Sequence, residues 1–337
     1  MFGRLKCFGY FFLFVFALAW GQASTAAEPC TAQPTGVKRS SDIQGPHPAM
    51  FRVVNGKSIV YLLGSIHVLP FKFLWCTPAI GQAIDSANVF FFEANLDFAT
   101  SEFHYFIDQH GYLPRGQTLH EKLSPAAQKR YFTLIKDFHI DPNRLDYLQP
   151  GVAFLLLQNL HGATTRGVEL VPGVDAALTR YAKDQGKEVA YLETLQSQFD
   201  VLTALGGGTQ ITMLEKALTD LEEEGGPKFL TILNAWANGD LEKLSAMDEE
   251  EPDQKALLLD KRNRAWLPRI EVMLSVPKTY LVTVGVLHLS GPNSVIDLLC
   301  AKSWKVERIQ TGTSRVEPLP DNAEKLAPVT KDACVTH

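Results

Sequence analysis

Taken as a pattern of apolar and polar positions, the chain opens with an unbroken apolar run, Phe8 to Trp20, and only later settles into strand-like and helix-like segments. Phe51-Arg52-Val53-Val54 and Ser58-Ile59-Val60-Tyr61-Leu62-Leu63 flank Asn55-Gly56, which predicts a β-hairpin. Thr77-Pro78 reads as N-cap and first helical position, with Ala79, Ile80, Ala83, Ile84 and Ala87 forming the apolar stripe of a short helix. That helix feeds Val89-Phe90-Phe91-Phe92, an apolar strand ending on Glu93. A second helix-to-strand unit runs from Gly173-Val174-Asp175 through Gly186 into Glu188-Val189-Ala190-Tyr191-Leu192 and ends on Glu193. Helices are predicted from Ser101 to Gly162, with Ser124-Pro125 opening one and Gly111 and Gly162 ending others. They are predicted again from Gln196 to about Ser275, broken at Gly206-Gly207-Gly208 and Gly225-Gly226-Pro227. No Lys-Ser/Thr follows the triple glycine, so it reads as a hinge or loop and not as a phosphate cradle. A strand from Lys278 to Val284, a helix from Val295 to Cys300 and a strand from Trp304 to Ile309 close the pattern. Alternating strands and helices imply an α/β fold: a mixed, largely parallel central sheet covered by helices, with a mainly helical insertion region.

One arrangement occurs twice. Tyr61-Leu62-Leu63-Gly64-Ser65-Ile66-His67 and Tyr280-Leu281-Val282-Thr283-Val284-Gly285-Val286-Leu287-His288 both run from an apolar strand through Gly to a histidine three residues on. A glycine just past a strand gives the backbone freedom to turn the histidine back toward the sheet edge, where α/β folds place their ligands. A single histidine in an apolar run is more often a satisfied core residue. Two copies in far-separated segments favour a shared site.

Composition narrows the classes of function. A chain of 337 residues with 46% hydrophobic content is long enough for a substantial core. Its 32 basic and 37 acidic residues are interspersed, for a formal charge of −5, so no basic face is available for nucleic acid. Arg4 and Lys6 precede the apolar run, which at thirteen residues is short for a bilayer, and Thr25-Ala26-Ala27 fits a small-x-small cleavage site, with Gly21-Gln22-Ala23 as the alternative. The expected organisation is a signal peptide over residues 1–27, a leader over 28–50, an α/β domain over 51–310 and a tail over 311–337, in a periplasmic or secreted protein without a transmembrane segment after signal removal. Cleavage would remove Cys7 and leave Cys30, Cys76, Cys300 and Cys334, an even number in an oxidising compartment, so two disulfides of open connectivity are expected.

His67, Glu93, Glu193 and His288 each end an apolar run. If their strands are neighbours running the same way, the four side chains converge on one rim. Two imidazoles and one or two carboxylates suit a divalent transition metal with open positions, with Mn, Co and Zn not distinguished, and a carboxylate there can also take a proton from water. The structural alternative is that Glu93 and Glu193 cap helices or pair with arginine. Absent are His-Glu-x-x-His, Gly-x-Ser-x-Gly and Gly-x-Gly-x-x-Gly, the marks of zincins, serine hydrolases and dinucleotide folds. His104, His110, His120, His139 and His161 share no ligand spacing.

Between about Phe51 and Ile309 the chain resembles the TraB/GumN family, which is similar to the Tiki metalloproteases and more remotely to erythromycin esterase and haem-binding ChaN-type proteins. The resemblance is carried by Leu63-Gly64-Ser65-Ile66-His67, Glu93, Gly173-Val174-Asp175, Leu192-Glu193-Thr194 with Gln198, Arg262-Asn263 with Trp266, and Val284-Gly285-Val286-Leu287-His288-Leu289 with Gly291. Ser65 stands where threonine is common, and Val286-Leu287 is bulkier than the small pair often found there. The resemblance implies a metal-dependent hydrolytic site in which His67, Glu93 and His288 hold the metal, and a peptide or protein substrate. Arg262, Asn263 and Ser65 are the candidate substrate-binding residues, although Arg262 can equally pair with Asp175 or Glu193. The competing expectations are a haem- or metal-binding protein without turnover and a catalytically silent accessory protein of envelope or polysaccharide assembly.

Overall fold

The computed structural model describes residues 48–71, 73–95, 100–157, 164–165, 168–223, 227–248 and 251–309. The expected signal peptide, the leader up to residue 47, the tail from 311 and the breakers Gly162, Gly225 and Gly226 lie outside the described residues.

Nine strands are described: β1 (Met50–Asn55), β2 (Ser58–Ser65), β3 (Val68–Pro70), β4 (Val89–Phe92), β5 (Thr164–Thr165), β6 (Val168–Pro172), β7 (Glu188–Tyr191), β8 (Thr279–Gly285) and β9 (Val306–Ile309). Six of them form the central sheet in the order β7-β4-β8-β2-β1-β9. β1 and β2 are the expected hairpin, antiparallel and closed at Asn55↔Ser58, and β9 pairs antiparallel with the outer side of β1. β2 itself and the strands β8, β4 and β7 are mutually parallel, with Leu63 of β2 opposite Thr283 of β8, Phe91 of β4 opposite Val282, and Phe92 of β4 opposite Tyr191 of β7. Helices flank this mostly parallel sheet, which makes the fold α/β, as the pattern implied.

Parallel strands covered on both faces read as unbroken apolar runs, because neither face meets water. Successive side chains point to opposite faces. Leu63, Phe90 and Leu281 accordingly pack with Ile80, Ile84, Leu178 and Trp236, whereas Leu62, Val89 and Val282 pack with Trp266, Ile270 and Leu299 on the other side. The helices between β4 and β6, together with those after β7, build a third core from Phe103, Leu119, Tyr131, Leu134, Val152, Phe199 and Leu214. This is the helical insertion.

Local signals placed the helix starts. The Thr77 hydroxyl accepts from the N–H of Ile80 and the Ser124 hydroxyl from that of Ala127. At the triple glycine the structure corrects the expectation of a loop. The chain breaks between the helix Leu195–Ala204 and the helix Gly206–Glu223, with φ +74° at Gly206, and the glycines then form the first turn of the second helix. Backbone hydrogen bonding continued by Thr209 and the residues beyond outweighs their poor helical propensity. A small antiparallel sheet, β3-β6-β5, was not foreseen; it has Val68 opposite Pro172. Its strands are too short for an alternation to be read.

Candidate active site

Because β7, β4, β8 and β2 are adjacent and parallel, their C-terminal ends share one edge of the sheet. Glu193 follows β7, Glu93 follows β4, His288 lies one turn beyond β8, and His67 is two residues past β2. The four residues singled out in the sequence therefore stand side by side in the order Glu193, Glu93, His288, His67.

The two Gly-x-x-His motifs interlock. A Cβ on Gly64 would lie 2.9 Å from Cγ2 of Val286, and a Cβ on Gly285 would lie 3.3 Å from Oε1 of Glu93. The glycines are needed for close approach and not for an unusual φ, since Gly285 has φ −50°. This revises the expectation drawn from the sequence. The bulk of Val286 is accommodated because Gly64 of the other motif leaves room for it.

Arg262 sits at the centre. Its Nη2 donates to Glu93 Oε2 at 2.6 Å and to Glu193 Oε1 at 2.5 Å, and its Nε donates to Glu193 Oε1 at 3.0 Å. Nη1 donates to the Leu258 carbonyl at 3.2 Å and to His288 Nε2 at 3.1 Å. All five N–H groups of the guanidinium thus have partners. The Leu258 carbonyl lies in the π-helical turn Ala256–Asp260, ahead of the helix Lys261–Ser275. Of the two structural partners open to Arg262, the fold selects Glu193 and adds Glu93. Trp266 completes the setting: its Nε1 donates to Glu193 Oε2 at 3.2 Å, and its ring lies 4.4 Å from that of His288.

These contacts fix the protonation of His288. An arginine cannot accept a hydrogen bond, so the His288 Nε2 facing Arg262 must be the lone-pair nitrogen. The proton is then on Nδ1, which donates to Asn263 Oδ1 at 2.6 Å. Asn263 cannot be flipped, because its Nδ2 donates to the Asn293 carbonyl at 3.0 Å. Burial, and then the positive Arg262 and His67, push the His288 pKa down to about 3, against the pull of Glu93. The imidazole is neutral, with its lone pair 3.7 Å from Glu93 Oε1.

Glu93 is held in its ionised form. Burial alone would raise its pKa, but Arg262, His288, His67 and the Gly285 N–H, which donates to Oε1 at 2.7 Å, bring it well below the usual carboxylate range. For Glu193 burial prevails: the carboxyl is pushed up, with Glu93 adding to the shift and Arg262 opposing it.

His67 stands apart from this cluster. Its Nδ1 lies 3.3 Å from Asp175 Oδ2, while Asp175 Oδ1 accepts the Ser65 hydroxyl at 2.8 Å. Burial would lower the pKa of His67, but Asp175 and then Glu93 outweigh it and raise the value to about 9, even though 51% of the side chain is exposed. The turn that presents His67 is clamped from outside: Gly173 N donates to the His67 carbonyl at 2.6 Å and Val174 N to that of Ile66 at 3.1 Å. A Cβ on Gly173 would sit 1.9 Å from the Ile66 oxygen, so only glycine fits. Trp236 Nε1 donates to the Gly64 carbonyl at 3.0 Å from the opposite helix.

Asp175 and Trp236 are the positioning residues that sequence reasoning did not assign. The signal for Asp175 was Gly-Val-Asp at a helix start; Trp236 gave none. Ser65 and Asn263 hold Asp175 and His288 respectively, and Asn263 is only 1% exposed. Cys76 and Cys300 are both part-buried, while Cys30 and Cys334 lie outside the described residues.

A divalent metal is the group the donor set calls to mind. Two ligands on one ion, each about 2.0–2.2 Å from it, can be at most about 4 Å apart, and the 3.7 Å between His288 Nε2 and Glu93 Oε1 meets that. The neutral imidazole with Nδ1 anchored is also the form a metal needs. As arranged, Arg262 faces the same lone pair, and among the described residues no three His, Cys, Asp or Glu side chains stand close enough together to hold a metal ion.

The profile of the TraB/PrgY/gumN family matches residues 49–308. Among curated proteins, the chain is 24% identical over 266 residues to "Uncharacterized protein YbaP" of Escherichia coli (strain K12), across 76% of this chain and 95% of that one. It is 25% identical over 324 residues to "Metalloprotease TIKI homolog" of Amphimedon queenslandica, across 79% of this chain and 63% of that one. No solved structure matches.

Proposed function

Because the chain belongs to the TraB/PrgY/gumN family, we propose that it is an exported, metal-dependent hydrolase acting on peptide bonds, with its site at the shared end of β7, β4, β8 and β2. The observation that carries this reading is the pairing of a neutral His288 lone pair with an ionised Glu93 at 3.7 Å, on the rim that also bears His67. The similarity to a metalloprotease homologue supports it. Export is supported by the Arg4/Lys6 start and the apolar run to Trp20.

In this reading Glu93 and His288 would supply two ligands, and His67, which stands apart from them in the metal-free arrangement, would have to close on them to supply the third. When bound, a divalent metal supplies a Lewis acid and lowers the pKa of water. The chain's own residues do the rest. Asn263 keeps the proton of His288 on Nδ1, so Nε2 stays a donor atom. Asp175 takes the Nδ1 side of His67 and leaves Nε2 as the nitrogen that a metal would use. Glu193 and Trp266 hold Arg262, whose positive charge keeps Glu93 ionised. So acidic a carboxylate is a poor acceptor of a proton at neutral pH, which favours a ligand role for Glu93 over that of general base.

The test is cleavage of a mixed peptide library by the mature protein purified without a His tag. Hydrolysis stopped by a chelator and restored by Mn, Co or Zn is the expected result. A Soret band without hydrolysis would favour the haem-binding alternative instead.

A further inference from the structure

Where the sheet's core meets the core of the helical insertion there is a cavity of about 200 Å³. His67 and its neighbours Ile66 and Val68 form one wall, and Leu157, Ala217 and Phe229 face them from three helices, Pro150–Leu157, Gly206–Glu223 and Pro227–Ala237. We propose that this cavity is the subsite that receives one large apolar side chain, leucine, methionine or phenylalanine, from a peptide lying across the strand-end rim. The inference rests on the hydrolase reading and adds its substrate class.

Three features point to that occupant. The first is continuity: His67 belongs both to the cavity wall and to the rim, so a side chain in the cavity sets its backbone beside the strand ends. The second is size. An apolar cavity of about 150 Å³ holds benzene, whereas whole small-molecule ligands take roughly 300–1,000 Å³, so this space suits one side chain and not a cofactor such as haem. Charge is the third. The acid in the wall, Asp220, lies 3.2 Å from Lys216 Nζ and 3.9 Å from Lys228 Nζ, and the imidazole in the wall, His67, lies 3.3 Å from Asp175 Oδ2, so neither offers an uncompensated charge to an ionised side chain. The helical insertion thereby gains a function, as the far wall of the substrate site.

The experiment compares acetylated, amidated peptides that differ only in one central residue, Leu, Phe, Ala, Asp or Lys, with wild type and Ala217→Phe. Ala217 is 6% exposed and lines the cavity, so a ring there fills it. Removing apolar contacts from a pocket changes kcat/KM roughly 10–200-fold. Wild type should therefore cleave the Leu and Phe peptides at least about tenfold faster than the Ala peptide, and Ala217→Phe should erase that preference. Cleavage with no side-chain preference, or a preference that Ala217→Phe leaves intact, overturns the subsite and keeps the hydrolase. If wild type cleaves none of the peptides, the hydrolase reading fails. Ligand-observed NMR of the Leu peptide then decides the cavity: binding lost in Ala217→Phe supports it, and equal or absent binding overturns it. Should Ala217→Phe not fold, Phe229→Ala enlarges the same space and must extend cleavage or binding to a Trp peptide; an unchanged profile overturns the subsite.

Discussion

At the scale of single residues the site is organised around Arg262, a buried cation with two carboxylates. Removing one partner of a buried, hydrogen-bonded charge cluster leaves the others uncompensated and costs about 3–5 kcal/mol. Arg262→Ala, which strands Glu93 and Glu193, should lose about that much in urea unfolding; a loss under about 1 kcal/mol would mean that the cluster is solvated and the hydrogen bonds are not maintained. The histidines and glutamates were legible in the sequence because each is a polar residue closing an apolar run, where the chain must reach either solvent or a partner. Arg262 was legible only as a candidate with several partners. Which carboxylate it meets depends on the order of the strands that Glu93 and Glu193 follow, and that order is not written in local sequence.

At the scale of elements, the hairpin at Asn55-Gly56 and the capped helices followed from local chemistry, whereas the order β7-β4-β8-β2 did not, because parallel pairing joins segments far apart in the chain. The Gly-x-x-His repeat did bring its two strands together, although the reason for the glycines turned out to be packing. The start of the helix Val174–Asp184 matters as much as any strand, since it clamps the His67 turn through backbone N–H groups. Gly173→Ala must push the Ile66–His67 backbone away, as its Cβ has 1.9 Å of room. A folded but less stable protein is expected, losing about 1–3 kcal/mol as for other overpacked positions, with the His67 environment altered in NMR. An unperturbed His67 resonance in a fully stable variant would contradict the clamp.

For the whole molecule, the site predicts how the metal-free protein responds to pH. Native His67 keeps its proton up to about 9, while an unfolded imidazole loses it near 6.5. Stability should thus fall as pH rises through that window, shallowly because the ring is half exposed. Native His288 resists protonation down to about 3, so below about 6.5 the unfolded chain binds the extra proton and stability falls again as pH drops. Glu93, depressed in the folded state, adds to the acid loss. A thermal-melt series should peak near pH 6.5; a peak above pH 9 would contradict the His67–Asp175 pairing. Export, proposed from the apolar leader, carries a second expectation, that Cys30, Cys76, Cys300 and Cys334 form two bridges. Non-reduced intact mass should then be about four hydrogens below the reduced mass, and free thiols at all four positions would contradict an oxidising destination. In the proposed function, segments more than two hundred residues apart meet to hold one metal ion. Calorimetric titration of the metal-free mature protein with Mn, Co and Zn tests it most directly. One ion should bind per chain, with affinity reduced at least about tenfold in His67→Ala, Glu93→Gln and His288→Ala variants that keep their circular dichroism. No binding by wild type, or equal binding by all three variants, would contradict it.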